Sequence, residues 1–211
     1  MPCALTVSRF RGVWRRESIA IDGGDPFEDS EAYWLQVGEY FADMRWPRKG
    51  EMHNNVSAFA GRTLWQAPKM HFVHEIDLHQ AQFDDVGEMS FQGDRLIERG
   101  EATVGDQVFR FEEVWVTTAA PASSECRVAC ATGRERRGYL VRVDDHVVAL
   151  EETDGHHNGG MWRRRGGDWV LQFGLGRVDA LSETVDRFVM DDLAAPWTMR
   201  NHEENVEEKH E

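Results

Sequence analysis

Apolar and polar residues alternate along most of this chain with a period of two, the spacing of half-buried β-strands. Strand-like runs occur at 12–21, 31–37, 39–46, 70–79, 86–92, 95–104 and 107–117, and again at 137–143, 146–152, 161–165 and 168–175. Turn chemistry separates them: Asp22-Gly23-Gly24-Asp25-Pro26, Gly38, Asp84-Asp85, Gln92-Gly93-Asp94, Gly105-Asp106, Asp144-Asp145, Asp154-Gly155 and Gly166-Gly167. Pro47 stops the third run, because proline cannot donate to a ladder. Only 180–192 has helical spacing, through Leu181, Val185, Phe188 and Val189. Residues 54–62 read as a short helix or a lid loop, 119–136 as a small, polar connection, and 201–211 as a charged, disordered tail. This rhythm predicts an all-β fold: an antiparallel up-and-down barrel with one or two short helices, spanning 1–200 as one domain. Two barrels divided near residue 125 are the alternative.

Alternation also sorts side chains by face. In 107–117, Phe109, Phe111 and Trp115 share a face with Glu113, so an inward apolar face carries a carboxylate inside. In 70–79, Phe72, Ile76 and Leu78 take His74 inward and leave Asp77 on the opposite face. Leu96 brings Glu98 in the same way. In 39–46, Tyr40, Ala42, Met44 and Trp46 read as packing, and Phe41, Asp43 and Arg45 as a solvent face or a wet cavity wall. Gln36 beside Trp34 and Arg16 beside Trp14 are further cavity candidates. A single bulge would swap every assignment beyond it.

A buried, ionised Glu113 among rings is costly unless a cation, donors or water satisfy it. Burial raises its pKa, whereas a neighbouring Arg16 or Arg45 lowers it. Such a carboxylate is half of a structural ion pair or a tuned acid–base group. His74 divides similarly between a satisfied core histidine and a proton-exchanging one.

A formal net charge of −14 repels phosphate backbones, which argues against a nucleic-acid partner. The cluster Arg134, Arg136, Arg137 reads as a solvated loop. No apolar run is long enough to span a bilayer as a helix, and the first residues lack a secretory signal, so the expectation is a cytoplasmic protein without a membrane partner. A homodimer stays open. Of three cysteines, Cys126 and Cys130 lie in a C-x3-C spacing without a second pair, which suggests buried thiols rather than zinc or a disulfide.

His71, His74 and His79 do not make a metal motif, since His71 and His79 on one strand face lie roughly 27 Å apart. His156-His157-Asn158 reads as a solvated turn. No Gly-x-Ser-x-Gly, phosphate loop or dinucleotide fingerprint is present. The expectation is therefore no cofactor and no metal. Eight tryptophans are many for 211 residues. Trp34, Trp65 and Trp115 are barrel packing or stacking walls for a planar ligand.

Gly12-Val13-Trp14 opens the first strand, where a glycine lets the indole fold under and plug one barrel end. With the meander after it, and with Leu96-Ile97-Glu98-Arg99-Gly100 and Phe111-Glu112-Glu113-Val114-Trp115, it resembles the calycin group of lipocalin-like and fatty-acid-binding-like barrels. Trp34-Leu35-Gln36 followed by Tyr40-Phe41-Ala42-Asp43-Met44-Arg45-Trp46-Pro47 is similar to a run in bacterial lipocalin-like proteins. The resemblance implies a container for small hydrophobic molecules. A minority of such barrels are cofactor-free enzymes, such as phenolic acid decarboxylases, or haem-binding nitrobindin-like proteins.

Together these readings point to a barrel that holds a small hydrophobic or aromatic molecule. The leading expectation is a cofactor-independent lyase, isomerase or hydratase, with Glu113, His74 and Glu98 exchanging protons. Arg45 or Arg16 would hold an anionic group, and Asp43, Gln36, Trp34, Trp65 and Trp115 would shape the wall. The alternatives are a non-catalytic binding protein and a module whose polar interior is only a packed ion-pair network.

Overall fold

The computed structural model describes residues 6–49, 56–79, 84–104, 106–119, 126–133 and 136–200. Eight antiparallel strands close into a barrel: β1 (Gly12–Ile21), β2 (Ser30–Val37), β3 (Tyr40–Pro47), β4 (Ser57–Gln66), β5 (Lys69–Asp77), β6 (Asp85–Gln92), β7 (Arg95–Val104) and β8 (Gln107–Ala119). Each pairs with the next, and β8 returns to β1 with Ile19 opposite Glu113 and Ala20 opposite Glu112. The all-β, up-and-down barrel that the alternation predicts is the fold observed.

The remaining strands do not join that barrel. β9 (Cys126–Thr132), β10 (Arg136–Val143), β11 (His146–Thr153), β12 (His156–Arg165), β13 (Asp168–Leu175) and β14 (Trp197–Arg200) form a second sheet in the order β13-β12-β11-β10-β9-β14. The helix α1 (Val178–Val189) covers one face of it, with Leu181, Val185 and Phe188 packed on Leu140, Val147, Ala149 and Trp162. The other face meets the barrel wall, where Val128, Tyr139, Val141, Val148 and Met161 share a core with Leu35, Val37, Ala42, Met44 and Ile76. Trp46 stacks between Tyr33 and Phe173, at ring separations of 5.6 and 5.2 Å.

Several sequence expectations change here. The strands are divided between a barrel and a covered sheet, because β8 finds its partner in β1 and closes the first ladder before β9 begins. Residues 57–62 belong to strand β4 rather than to a helix or lid, and 126–132 are strand β9 rather than connection. Both segments are rich in small residues that alternation reads poorly, and pairing with neighbours makes them strands. His156, His157 and Asn158 begin β12 instead of forming a turn, paired to Thr153, Glu152 and Glu151. The expected disordered tail, 201–211, lies outside the described residues, as does Arg134. Arg136 and Arg137 are ion-paired to Glu151 and Glu152.

One barrel end is filled. A 3₁₀ turn, Val7–Phe10, enters from below, and Gly12 takes φ 150°, a backbone angle that side chains with a Cβ resist. Trp14 folds under and donates Nε1 to the Phe10 carbonyl at 2.7 Å. Its ring lies against Trp34 and Phe91, while Phe10 packs on Trp65. The opposite end is open, because β5 pairs with β6 only over Lys69–Phe72 and diverges beyond it.

Candidate functional site

Above the aromatic plug the barrel encloses a cavity of about 280 Å³. Its apolar walls come from Trp34, Phe59, Phe72, Phe111 and Trp115, with Ile19, Ile21, Ala102 and Phe109 on one side. Asp43, Arg45, His74, Asp77, His79, Asp85, Glu98 and Glu113 supply the polar lining. Exposed His79 places that side at the mouth, where its Nε2 donates to the Val56 carbonyl.

Strand alternation delivers most of this set. Phe41, Asp43 and Arg45 point into the barrel, whereas Ala42 and Met44 point at the second sheet, so both faces of β3 are buried. Of the two readings open for Asp43 and Arg45, a solvent face or a wet cavity wall, the structure has the cavity wall. Alternation breaks where strands bulge: β1 shifts register against β8 between Arg16 and Ser18, which puts Ile19 and Ile21 on the cavity side, and β5 bulges as well. The β4–β5 register shifts between Ala60, opposite Ile76, and Gly61, opposite His74, so Glu75 is an extra residue. The bulge turns Ile76 outward into the shared core and brings Asp77 inside with His74.

Of the residues singled out from the sequence, Glu113, His74, Glu98, Arg45, Asp43, Trp34 and Trp115 line the cavity. Arg16 sits behind the wall, bonded to Glu113 and, through Nε, to Glu28 at 2.8 Å. Gln36 locks the Trp34 ring by accepting its Nε1–H at 2.9 Å, and donates to Thr63 Oγ1 and the Gly38 carbonyl. Trp65 packs on Phe10 at the plugged end. Missed from the sequence were Asp77, Asp85 and Glu28. The first was hidden by the bulge; Asp85 sits in a pair read as turn chemistry, and Glu28 between the Asp22–Pro26 turn and the 31–37 run, where nothing was assigned. Phe59 lies where a helix or lid was expected.

Charge is organised around two buried carboxylates that face each other across β7 and β8. Glu98 and Glu113 are direct register partners, and only 5 % and 3 % exposed. Glu113 receives Arg16 and, at 3.2 Å, Arg45. Burial would push its pKa up, but the two guanidiniums outweigh that and hold it below the ordinary value. Glu98 has no such cation bonded to it. Burial, then the Glu113 and Asp85 charges, raises its pKa well above the ordinary carboxylate value and favours the protonated form. Glu98 Oε2 accepts the Trp115 Nε1–H at 3.0 Å.

The remaining cations are committed to carboxylates of the chain. Arg45 bonds Asp43 through Nε at 2.8 Å and Nη2 at 3.2 Å. His74 donates Nδ1 to Asp77 at 2.7 Å and Nε2 to Asp85 at 3.0 Å. Burial opposes its charge, yet these two bonds lift the imidazole pKa to about 9. His74 is therefore an imidazolium that ties β5 to the start of β6, stacked on Phe59 at 4.2 Å. Among the described residues no group of three or more His, Cys, Asp or Glu side chains is arranged to hold a metal.

A family model described as Protein HRI1 matches residues 12–205. Among solved structures, the chain is similar to the crystal structure of the uncharacterised protein YLR301w of Saccharomyces cerevisiae. That match has a TM-score of 0.67 at 12 % identity, covers 79 % of this chain and 86 % of the yeast chain, and concerns the fold alone. No curated protein matches. No helix among the described residues is long and apolar enough to cross a membrane.

Proposed function

We propose, for a chain that belongs to the HRI1 family, that the barrel is a receptor for one small, largely apolar or aromatic molecule. The carrying observation is the hollow itself. Protein interiors close-pack, yet a space of about 280 Å³ stands between Trp34, Trp115, Phe59, Phe72 and Phe111. It is at the small end of ligand pockets, apolar-walled with a few convergent polar groups. One end is sealed by Trp14 and Phe10, which leaves the opening by Asp77, His79 and Asp85 for entry. The ring-lined barrel supports the lipocalin-like reading of the architecture. The buried free thiols of Cys126 and Cys130 fit a reducing, cytoplasmic setting.

The test is a titration of tryptophan fluorescence with small aromatic probes, together with native mass spectrometry of the purified protein. Ala102→Trp fills the cavity from its wall and replaces none of its charged groups. Loss of binding in that variant, with an unchanged melting profile, is the expected result. Equal binding by the filled variant would overturn the reading.

A second reading is favoured by the split between Glu98 and Glu113. Two neighbouring carboxyls whose pKa values are pushed in opposite directions, Glu98 up by burial and Glu113 down by its arginines, are the arrangement that separates acid from base roles. On this reading the barrel is a lyase, isomerase or hydratase in which Glu98 gives the proton. Glu113 and His74, each held by two partners, set the field and the shape. Glu98→Gln should then abolish turnover while leaving affinity for a neutral ligand unchanged.

A further inference from the structure

Resting on the reading of the cavity as a ligand site, we propose that its ligand is a small organic cation: a protonated amine on an apolar or aromatic body, whose charge is taken by Glu98 in exchange for a proton.

The cations in and behind the cavity wall already have carboxylate partners. Arg16 is shared by Glu28 and Glu113, Arg45 by Asp43 and Glu113, and His74 by Asp77 and Asp85. Carboxylates in and behind the wall outnumber these cations even with Glu98 neutral. An anionic ligand would enter a negative, low-dielectric chamber whose positive groups already have partners, and would be repelled. An ammonium would be attracted.

Among the described residues, the one buried carboxyl not bonded to a cation is Glu98. Its Oε2 takes the Trp115 indole N–H, and among the described residues no hydrogen bond reaches Oε1. The side chain is 5 % exposed and lines the cavity. Facing it are Glu113 on β8, Asp43 and Arg45 on β3, and Asp85 on β6. Three of these four are acidic, so the proton on Glu98 compensates charge that a ligand cation could compensate instead. The surrounding rings suit the same guest. The Arg45 guanidinium already lies 5.4 Å from the Phe59 ring centre and 5.6 Å from that of Trp115, in cation–π range. Binding proceeds by exchange: the ammonium enters, Glu98 loses one proton to water, and the chamber's net charge is unchanged.

Three isosteric probes test this by isothermal titration calorimetry on the full chain: 2-phenylethylamine, 2-phenylethanol and phenylacetate. The amine should bind at least about tenfold tighter than the other two. Its enthalpy should vary with buffer ionisation heat by about one proton released. Its affinity should rise about tenfold per pH unit while Glu98 is still protonated. Glu98→Gln should remove the proton release and the pH dependence, and lower amine affinity to that of the alcohol. If that variant does not fold, the buffer and pH series on the unaltered chain decide. Equal or tighter binding of the alcohol or phenylacetate, blocked by Ala102→Trp, would overturn the cation proposal and leave the cavity reading standing. No binding by any of the three would remove both.

Discussion

Glu98 and Glu113 stand opposite each other on β7 and β8, both buried, and only Glu113 is bonded to arginine. Like charges directly across a ladder repel, so the pair favours an ionised Glu113 and a protonated Glu98. The consequences of that asymmetry and of its neighbours can be measured.

Glu113→Gln keeps the shape and removes the charge that two guanidiniums share. Arg16 is buried, and its remaining partner is Glu28. Loss of one partner of a buried ion pair costs about 3–5 kcal/mol. Urea denaturation should show the midpoint falling with an unchanged slope; a shift within error would mean that water replaces the carboxylate.

His74 gives stability a basic-side edge. Its pKa is about 9 when folded against 6.5 for the free side chain. A raised pKa means the contribution is complete below pH 6.5 and fades as pH climbs through 9. Thermal melts from pH 6 to 10 should therefore decline for the native chain. They should be flatter for His74→Asn, which keeps a donor but cannot hold a proton.

His146 works in the opposite sense. It is buried, stacked on Tyr33, and its Nδ1 has no hydrogen-bond partner among the described residues. Burial and then Arg163 lower its pKa to about 4. The unfolded chain takes up the proton first, so stability is lost as pH falls from 6.5 towards 4. His146→Phe retains the stack and removes both the orphaned nitrogen and the titration. Melts between pH 4 and 7 should show a shallower decline, with no loss at neutral pH.

Gly87→Ala probes the seat of Glu98. A Cβ at Gly87 would fall 2.5 Å from Glu98 Oε1 and 2.7 Å from its Cγ. The carboxyl is tethered to Trp115, so it can yield only by breaking that bond. Overpacking of this kind costs about 1–3 kcal/mol. A changed Trp115 emission and weakened binding of 2-phenylethylamine are expected. Unaltered emission would mean that Glu98 does not rest where the structure puts it.

Period-two alternation by itself determined that this chain is a meander of strands. Turn residues set the strand breaks, and inward apolar neighbours marked Glu113, His74 and Glu98 as interior groups. Those are local properties: side-chain direction follows from position on a strand, whichever strand lies beside it. Tertiary structure decided the rest. Closure of β8 on β1 made one barrel and left a second sheet outside it. Burial of β3 between cavity and sheet decided that Asp43 and Arg45 line a cavity wall rather than a solvent face. The bulge at Glu75 reversed Asp77, and only folding brought Arg16, Arg45 and Glu113 together while leaving Glu98 without a cation bonded to it. Register, closure and charge pairing depend on residues far apart in the chain, and their energies exist only once distant strands meet.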